Sequence, residues 1–159
     1  KIIVDSYENN VDETHVSQDK SRIKTFSKSL KKIIKILDIK NLENKSFLDI
    51  GSASGACLKS LKDLGFQEEG YEPSKWMSEY GKKIYNVNIN QGSISNVTKD
   101  RKFDLILVFG TSPPSVMIPA IILSKIKKAK IAFWVLDLWP ETLKSMNIIK
   151  NKFIRRIKC

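Results

Sequence analysis

Asp49, Gly51, Gly55 and Glu72 are the residues whose types and spacing could do chemistry together. Ser46-Phe47-Leu48-Asp49-Ile50 is a short apolar run that ends in Gly51-Ser52-Ala53-Ser54-Gly55, the pattern of a strand running into a glycine loop. Glycine at 51 and 55 lets the backbone turn sharply and lets a ligand approach with no Cβ in the way. Glu72 ends a second short run, 21 positions after Gly51. A ribose diol presents two donors about 3 Å apart, which one carboxylate accepts in bidentate fashion. Loop and acid together read as a nucleoside-binding pair. Taken singly, the loop reads as a tight strand-to-helix turn and the acid as a solvated helix start. A nicotinamide dinucleotide site would want G-x-G-x-x-G. From Gly51 this chain gives Gly51, Ala53 and Ala56 instead, so two of the three glycines are missing.

The remaining polar candidates are weaker. His15 is the single histidine and lies in a polar stretch, where it reads as solvated rather than as a general base. Asp137 and Glu141 could serve acid-base work or a metal, but a strand-end acid before Pro140-Glu141 fits helix capping equally well. Trp134 and Trp139 read as core and lid packing. Cys57 and Cys159 have neither disulfide-framework nor metal-ligand spacing, so no metal site is expected, and no catalytic base stands out.

These residues need a scaffold, and the pattern of the chain supplies one. Phe26, Leu30, Ile33, Ile34 and Leu37 form one face of a helix over about 22–39. Its other face carries Lys24, Lys28, Lys31, Lys32 and Lys35. Such a face is ordinarily solvated, with peripheral contact to an anionic membrane as the alternative. Residues 1–20 are polar without period and read as a surface arm. Strands are predicted at 46–50, 66–71, 84–89, 103–109 and 131–136. Helices are predicted over 56–64, stopped by Gly65, from Pro73 to Gly81 with Trp76, Met77 and Tyr80 on one face, and over 113–126. Strands alternating with helices demand a parallel sheet with right-handed crossovers. The expected fold is therefore α/β, a Rossmann-like three-layer sandwich with about five strands in the order 3-2-1-4-5. It forms one domain over 21–159 behind the arm 1–20.

Composition agrees with a packed domain. The 159 residues are 42% hydrophobic and 28% charged, an ordinary globular balance. The longest mainly apolar run, Pro113 to Leu123, is well short of the roughly 20 residues of a spanning helix. The net charge of +11 comes mostly from lysine. Arg22, Arg101, Arg155 and Arg156 are the arginines, and no basic stretch carries interleaved aromatics, so the charge reads as compositional habit rather than a nucleic-acid interface. No secretion signal opens the sequence, which begins at Lys1, and a cytoplasmic location is the expectation.

The Asp-x-Gly-x-x-x-Gly text FLDIGSASG resembles motif I of class I S-adenosylmethionine-dependent methyltransferases. YEPSKWMSEYGKK resembles the segment after their second strand, and QGSISN their third-strand loop. The similarity runs from roughly Val11 to Ile106. It implies S-adenosylmethionine as cofactor, with Asp49, Gly51, Ser52, Ala53 and Gly55 around its methionine part and Glu72 on the ribose hydroxyls. Pro73, Trp76 and Ser93 would lie near the adenine. Ser93 stands where the family often has an Asp facing the adenine amine, a swap that weakens that contact.

From Phe103 onward the text is similar instead to part of the amino-terminal lobe of family-4-type glycosyltransferases. Ser112-Pro113-Pro114 and Asp137-Leu138-Trp139-Pro140-Glu141 are the motifs that carry this second resemblance, with a seam near 103–110. Some amino-group methyltransferases place Asn/Asp-Pro-Pro-aromatic after the fourth strand. Ser112 and Ser115 replace the amide and the ring, so the prolines read as a helix start. Three functions follow as expectations: methyl transfer to a small-molecule acceptor, a cofactor-binding remnant without turnover, and a glycosyltransferase fragment. The last leaves the glycine loop and Glu72 unexplained.

Overall fold

The computed structural model describes residues 11–98, 100–110 and 117–135. Five strands, β1 (Ser46–Ile50), β2 (Gln67–Glu72), β3 (Ile89–Gln91), β4 (Leu105–Gly110) and β5 (Lys130–Val135), pair in parallel in the order β3-β2-β1-β4-β5. The expected fold class and strand order are those observed. The chain starts at the centre, builds outward to β3, then returns to the other side of β1. Ligands of open parallel sheets bind beyond the carboxyl ends of the strands near such a reversal.

Buried apolar side chains on both faces explain why β1 and β4 are central. Phe47, Leu105 and Leu107 join Leu30, Cys57, Leu58, Leu61, Phe66, Val87 and Ile89 in one core layer. Leu48, Tyr71, Ile106 and Val108 join Phe103 and Ala120 in the opposite layer. The first layer is covered by α2 (Asp19–Ile36), α3 (Ala56–Asp63) and α4 (Lys75–Tyr85), the second by α5 (Met117–Lys127). The predicted face of α2 packs inward through Phe26, Leu30, Ile33, Ile34 and Leu37, and its lysines point to solvent. Asp104 aligns β4 with β1 by accepting from Lys45 Nζ at 2.8 Å and from the Ser46 N–H at 3.0 Å.

Several boundaries differ from the sequence reading. Residues taken as an aperiodic arm contain a short helix, α1 (Glu13–Ser17), and the start of α2. The Asp12 carboxylate caps α1 by accepting the His15 N–H at 2.8 Å. The inward residue here is Asp19, a carboxylate, so a search for apolar periodicity passes over it. Helix α4 is capped by Ser74 rather than opened at Pro73, and it continues past Gly81 to Tyr85. Consequently β3 begins at Ile89, after the left-handed Asn86, and not at residue 84. The predicted helix over 113–126 is seen as Met117–Lys127. Pro113, Pro114, Asp137, Trp139 and Glu141 lie outside the described residues, as does the side chain of Trp134.

Candidate functional site

The loop after β1 owes its shape to three left-handed residues, Gly51 (φ +79°), Ala53 (φ +46°) and Gly55 (φ +81°). The N–H groups of Gly51 and Ser52 both donate to the Tyr71 carbonyl, at 2.9 and 3.2 Å, tying the loop to the end of β2. Ser52 Oγ donates to the Asp49 carbonyl at 2.9 Å. The two glycines have different reasons to be glycine. A Cβ on Gly51 would meet open space, whereas one on Gly55 would press on Val87 at 3.0 Å. Gly51 is thus the exposed glycine and Gly55 the packed one. Gly70 in β2 makes room for the loop, since a Cβ there would stand 2.4 Å from Ser52 Oγ.

Glu72 is 1% exposed, not the solvated helix-start acid of the single-residue reading. Its Oε2 accepts the Ala53 N–H at 2.8 Å and its Oε1 accepts the Ser74 N–H at 2.8 Å. The carboxylate therefore joins the glycine loop to the start of α4. Each oxygen keeps a further lone pair for a ligand donor.

Asp49 is 2% exposed, and its Oδ1 has no hydrogen-bond partner among the described residues. Burial is the main reason its carboxyl is pushed up to about 7; the charge of Glu72 adds to this, and a hydrogen bond from the Cys57 thiol opposes it. Burial likewise pushes the Cys57 thiol up. A buried carboxylate oxygen without a donor is costly. A cationic donor arriving at Oδ1 would remove that cost and favour the ionised form.

Beyond the ends of β2 and β3 lies an open cleft of about 250 Å³, lined by Pro73, Gln91, Gly92, Ser93 and Asn96. Its floor is set by Asn96, whose Oδ1 accepts the Ser93 N–H at 2.8 Å, and Ser93 Oγ pairs with Ser95 Oγ at 2.8 Å. Pro73 and Ser93 therefore line the same cleft. Trp76 does not line this cleft; its ring packs on Tyr80 with centroids 5.5 Å apart. Nine predicted residues thus divide. Asp49 at the end of β1, the loop residues Gly51, Ser52, Ala53 and Gly55, and Glu72 at the end of β2 adjoin one another, Pro73 and Ser93 line the cleft, and Trp76 lies in α4.

Sequence reasoning missed Asp19, Gln91 and Asn96. The Asp19 carboxylate is 1% exposed and accepts from Ser54 Oγ of the glycine loop at 2.8 Å and from the Tyr85 hydroxyl at 3.0 Å. No local pattern announces a contact spanning 35 positions. Asn96 could have been found, since Ser93 to Asn96 is a capping-box spacing.

No family model matches the chain, and no curated protein matches it. Solved structures do. The plantazolicin methyltransferase BpumL, in complex with a monoazolic desmethylPZN analog and S-adenosyl-L-homocysteine, superposes with a TM-score of 0.58 at 16% identity over 94% of this chain. This chain spans 63% of that protein's length. Magnesium protoporphyrin IX methyltransferase from Synechocystis gives 0.57 at 12% identity, over 94% of this chain and 79% of that one. An RNA methyltransferase from Salinibacter ruber gives 0.52 at 14% identity, over 65% and 68%. The fold of this chain is the one these methyltransferases share. These structures lend no support to the glycosyltransferase resemblance, whose motifs Ser112-Pro113-Pro114 and Asp137 to Glu141 lie outside the described residues.

Proposed function

We propose that the chain binds S-adenosylmethionine beyond the carboxyl ends of β1 and β2 and transfers its methyl group to a small-molecule acceptor. The observation that carries this reading is the buried, unpaired Asp49 Oδ1 beside the open face of Gly51. An α-ammonium group is a donor of the right charge for that oxygen. Gly51, Ser52, Ala53 and Gly55 would surround the methionine part, and Glu72 would offer its remaining lone pairs to the ribose hydroxyls. The cleft lined by Pro73, Gln91, Ser93 and Asn96 has the position and polarity to hold the adenine. Trp76 of α4, its ring packed on Tyr80, would lie near the adenine beside Pro73.

Bound there, the sulfonium cofactor supplies an already activated methyl group. What this chain's residues must do is hold, orient and keep water away, because alignment of donor and acceptor supplies much of the acceleration. The absence of a candidate base from the loop is compatible with that demand. Neighbours named as RNA methyltransferases do not alter the acceptor reading, since the basic residues are mostly lysines and no basic stretch carries interleaved aromatics.

Calorimetric titration with S-adenosylhomocysteine tests the reading. Saturable binding, weakened by Glu72→Ala, is expected; no binding by the folded chain overturns it. Methyl transfer from labelled cofactor into a cell extract then tests turnover, and binding without any methylated product would leave the remnant reading in its place.

A further inference from the structure

The segment 11–20, which looks dispensable in the sequence, is fastened to the heart of the proposed site. Asp19 Oδ1 accepts from Ser54 Oγ at 2.8 Å, Asp19 Oδ2 accepts from the Tyr85 hydroxyl at 3.0 Å, and Arg22 Nη1 stands 3.7 Å from the same carboxylate. Ser54 lies between the left-handed Ala53 and Gly55, so its side chain is the handle by which the loop's unusual backbone can be held. From behind, the Ser54 carbonyl abuts Gly81 of α4 so closely that a Cβ there would sit 2.8 Å away. Asp19 thus joins α2, the glycine loop and α4 at one buried point.

His15 precedes Asp19 by four residues, and its backbone is pinned at both ends. Its N–H donates to Asp12 Oδ1 at 2.8 Å, and its carbonyl accepts from Arg22 Nη1 at 3.0 Å. Arg22, which also faces the Asp19 carboxylate, thus ties the turn before α2 to that buried acid.

We infer that Asp19 is a positioning residue of the nucleoside site: by accepting from Ser54 it sets the glycine loop that would hold the nucleoside. The inference rests on the cofactor reading above and adds Asp19 to it. Asp19 does not touch the ligand; it acts through Ser54.

The experiment is calorimetric titration with S-adenosylhomocysteine of the unaltered chain and of four variants, each with its melting temperature. Ser54→Ala and Asp19→Ala should weaken binding about tenfold, the loss of one charge-assisted hydrogen bond. Asp19→Asn, whose amide oxygen still accepts from Ser54, should restore affinity. Tyr85→Phe removes the other bond to Asp19 but leaves Ser54 held, so it should lower the melting temperature and leave affinity unchanged. If Asp19→Ala does not fold, Ser54→Ala carries the test alone. Wild-type affinity in Ser54→Ala, or an equal loss in Tyr85→Phe, overturns the inference. No binding by the unaltered chain overturns the cofactor reading and this inference with it.

Discussion

Glu72 Oε2 and the Ala53 amide meet at 2.8 Å, so the acid at the end of β2 holds the loop at the end of β1. Ala53 is left-handed at φ +46°, a conformation that a residue with a Cβ does not adopt without support. The carboxylate supplies that support while its other oxygen holds the Ser74 N–H. Glu72 is thus part of the loop's architecture before any ribose is considered.

Glu72→Ala should therefore lower stability as well as affinity. It leaves the Ala53 and Ser74 amides without their acceptor, at a cost of about 3 kcal/mol. Glu72→Gln retains one carbonyl oxygen and should lose roughly half of that in the same denaturant titration. A variant with unchanged unfolding but abolished binding would contradict the clamp.

Asp49 makes stability and binding respond oppositely to pH. Its carboxyl is raised from 3.8 to about 7, mainly by burial. A group raised on folding contributes stability that is complete below its unfolded pKa and is lost as pH rises through the folded value. The ligand-free chain should lose this contribution between about pH 4 and pH 7. Over the upper part of that range the affinity for S-adenosylhomocysteine, with its α-ammonium, should rise. Asp49→Asn should flatten both curves and raise the ligand-free melting temperature at pH 8. Thermal scans and calorimetry across pH 5 to 8 check this.

Gly81→Ala should damage the site from behind. In a helix alanine is ordinarily favoured by about 1 kcal/mol. Here its Cβ would stand 2.8 Å from the Ser54 carbonyl, which is backbone and cannot swing aside. A net destabilisation of about 1–3 kcal/mol is expected, with weaker cofactor binding as the loop is displaced. A stabilised variant in the unfolding assay would show that the loop yields freely.

Ser93→Asp should strengthen binding. Ser93 caps a 3-10 turn over Ile94–Asn96, a place Asp also fills well. The added carboxylate would face the cleft and accept from an adenine amine, for a gain of several-fold in affinity. Calorimetry against adenosine and inosine forms of the ligand would show whether the gain depends on that amine.

The sequence by itself determined the parallel five-stranded fold. Buried runs such as Phe47-Leu48 and Leu105 to Val108 have apolar residues for both faces of a sheet, and the intervening amphipathic stretches have one face each. It also marked the loop and its acid, because glycine at 51 and 55 and a carboxylate at 72 are chemical types that stand out at fixed intervals. It misplaced the ends of α4 and β3 because Gly81 reads locally as a stop. Only the tertiary structure decided that this glycine is a contact surface for Ser54. The burial and partners of Glu72, Asp49 and Asp19 were decided in the same way. Whether a carboxylate is solvated, clamps two amides, or is buried with an unpaired oxygen depends on which distant backbone and side-chain groups the fold brings within 3 Å. Residue type and spacing along the chain do not carry that information.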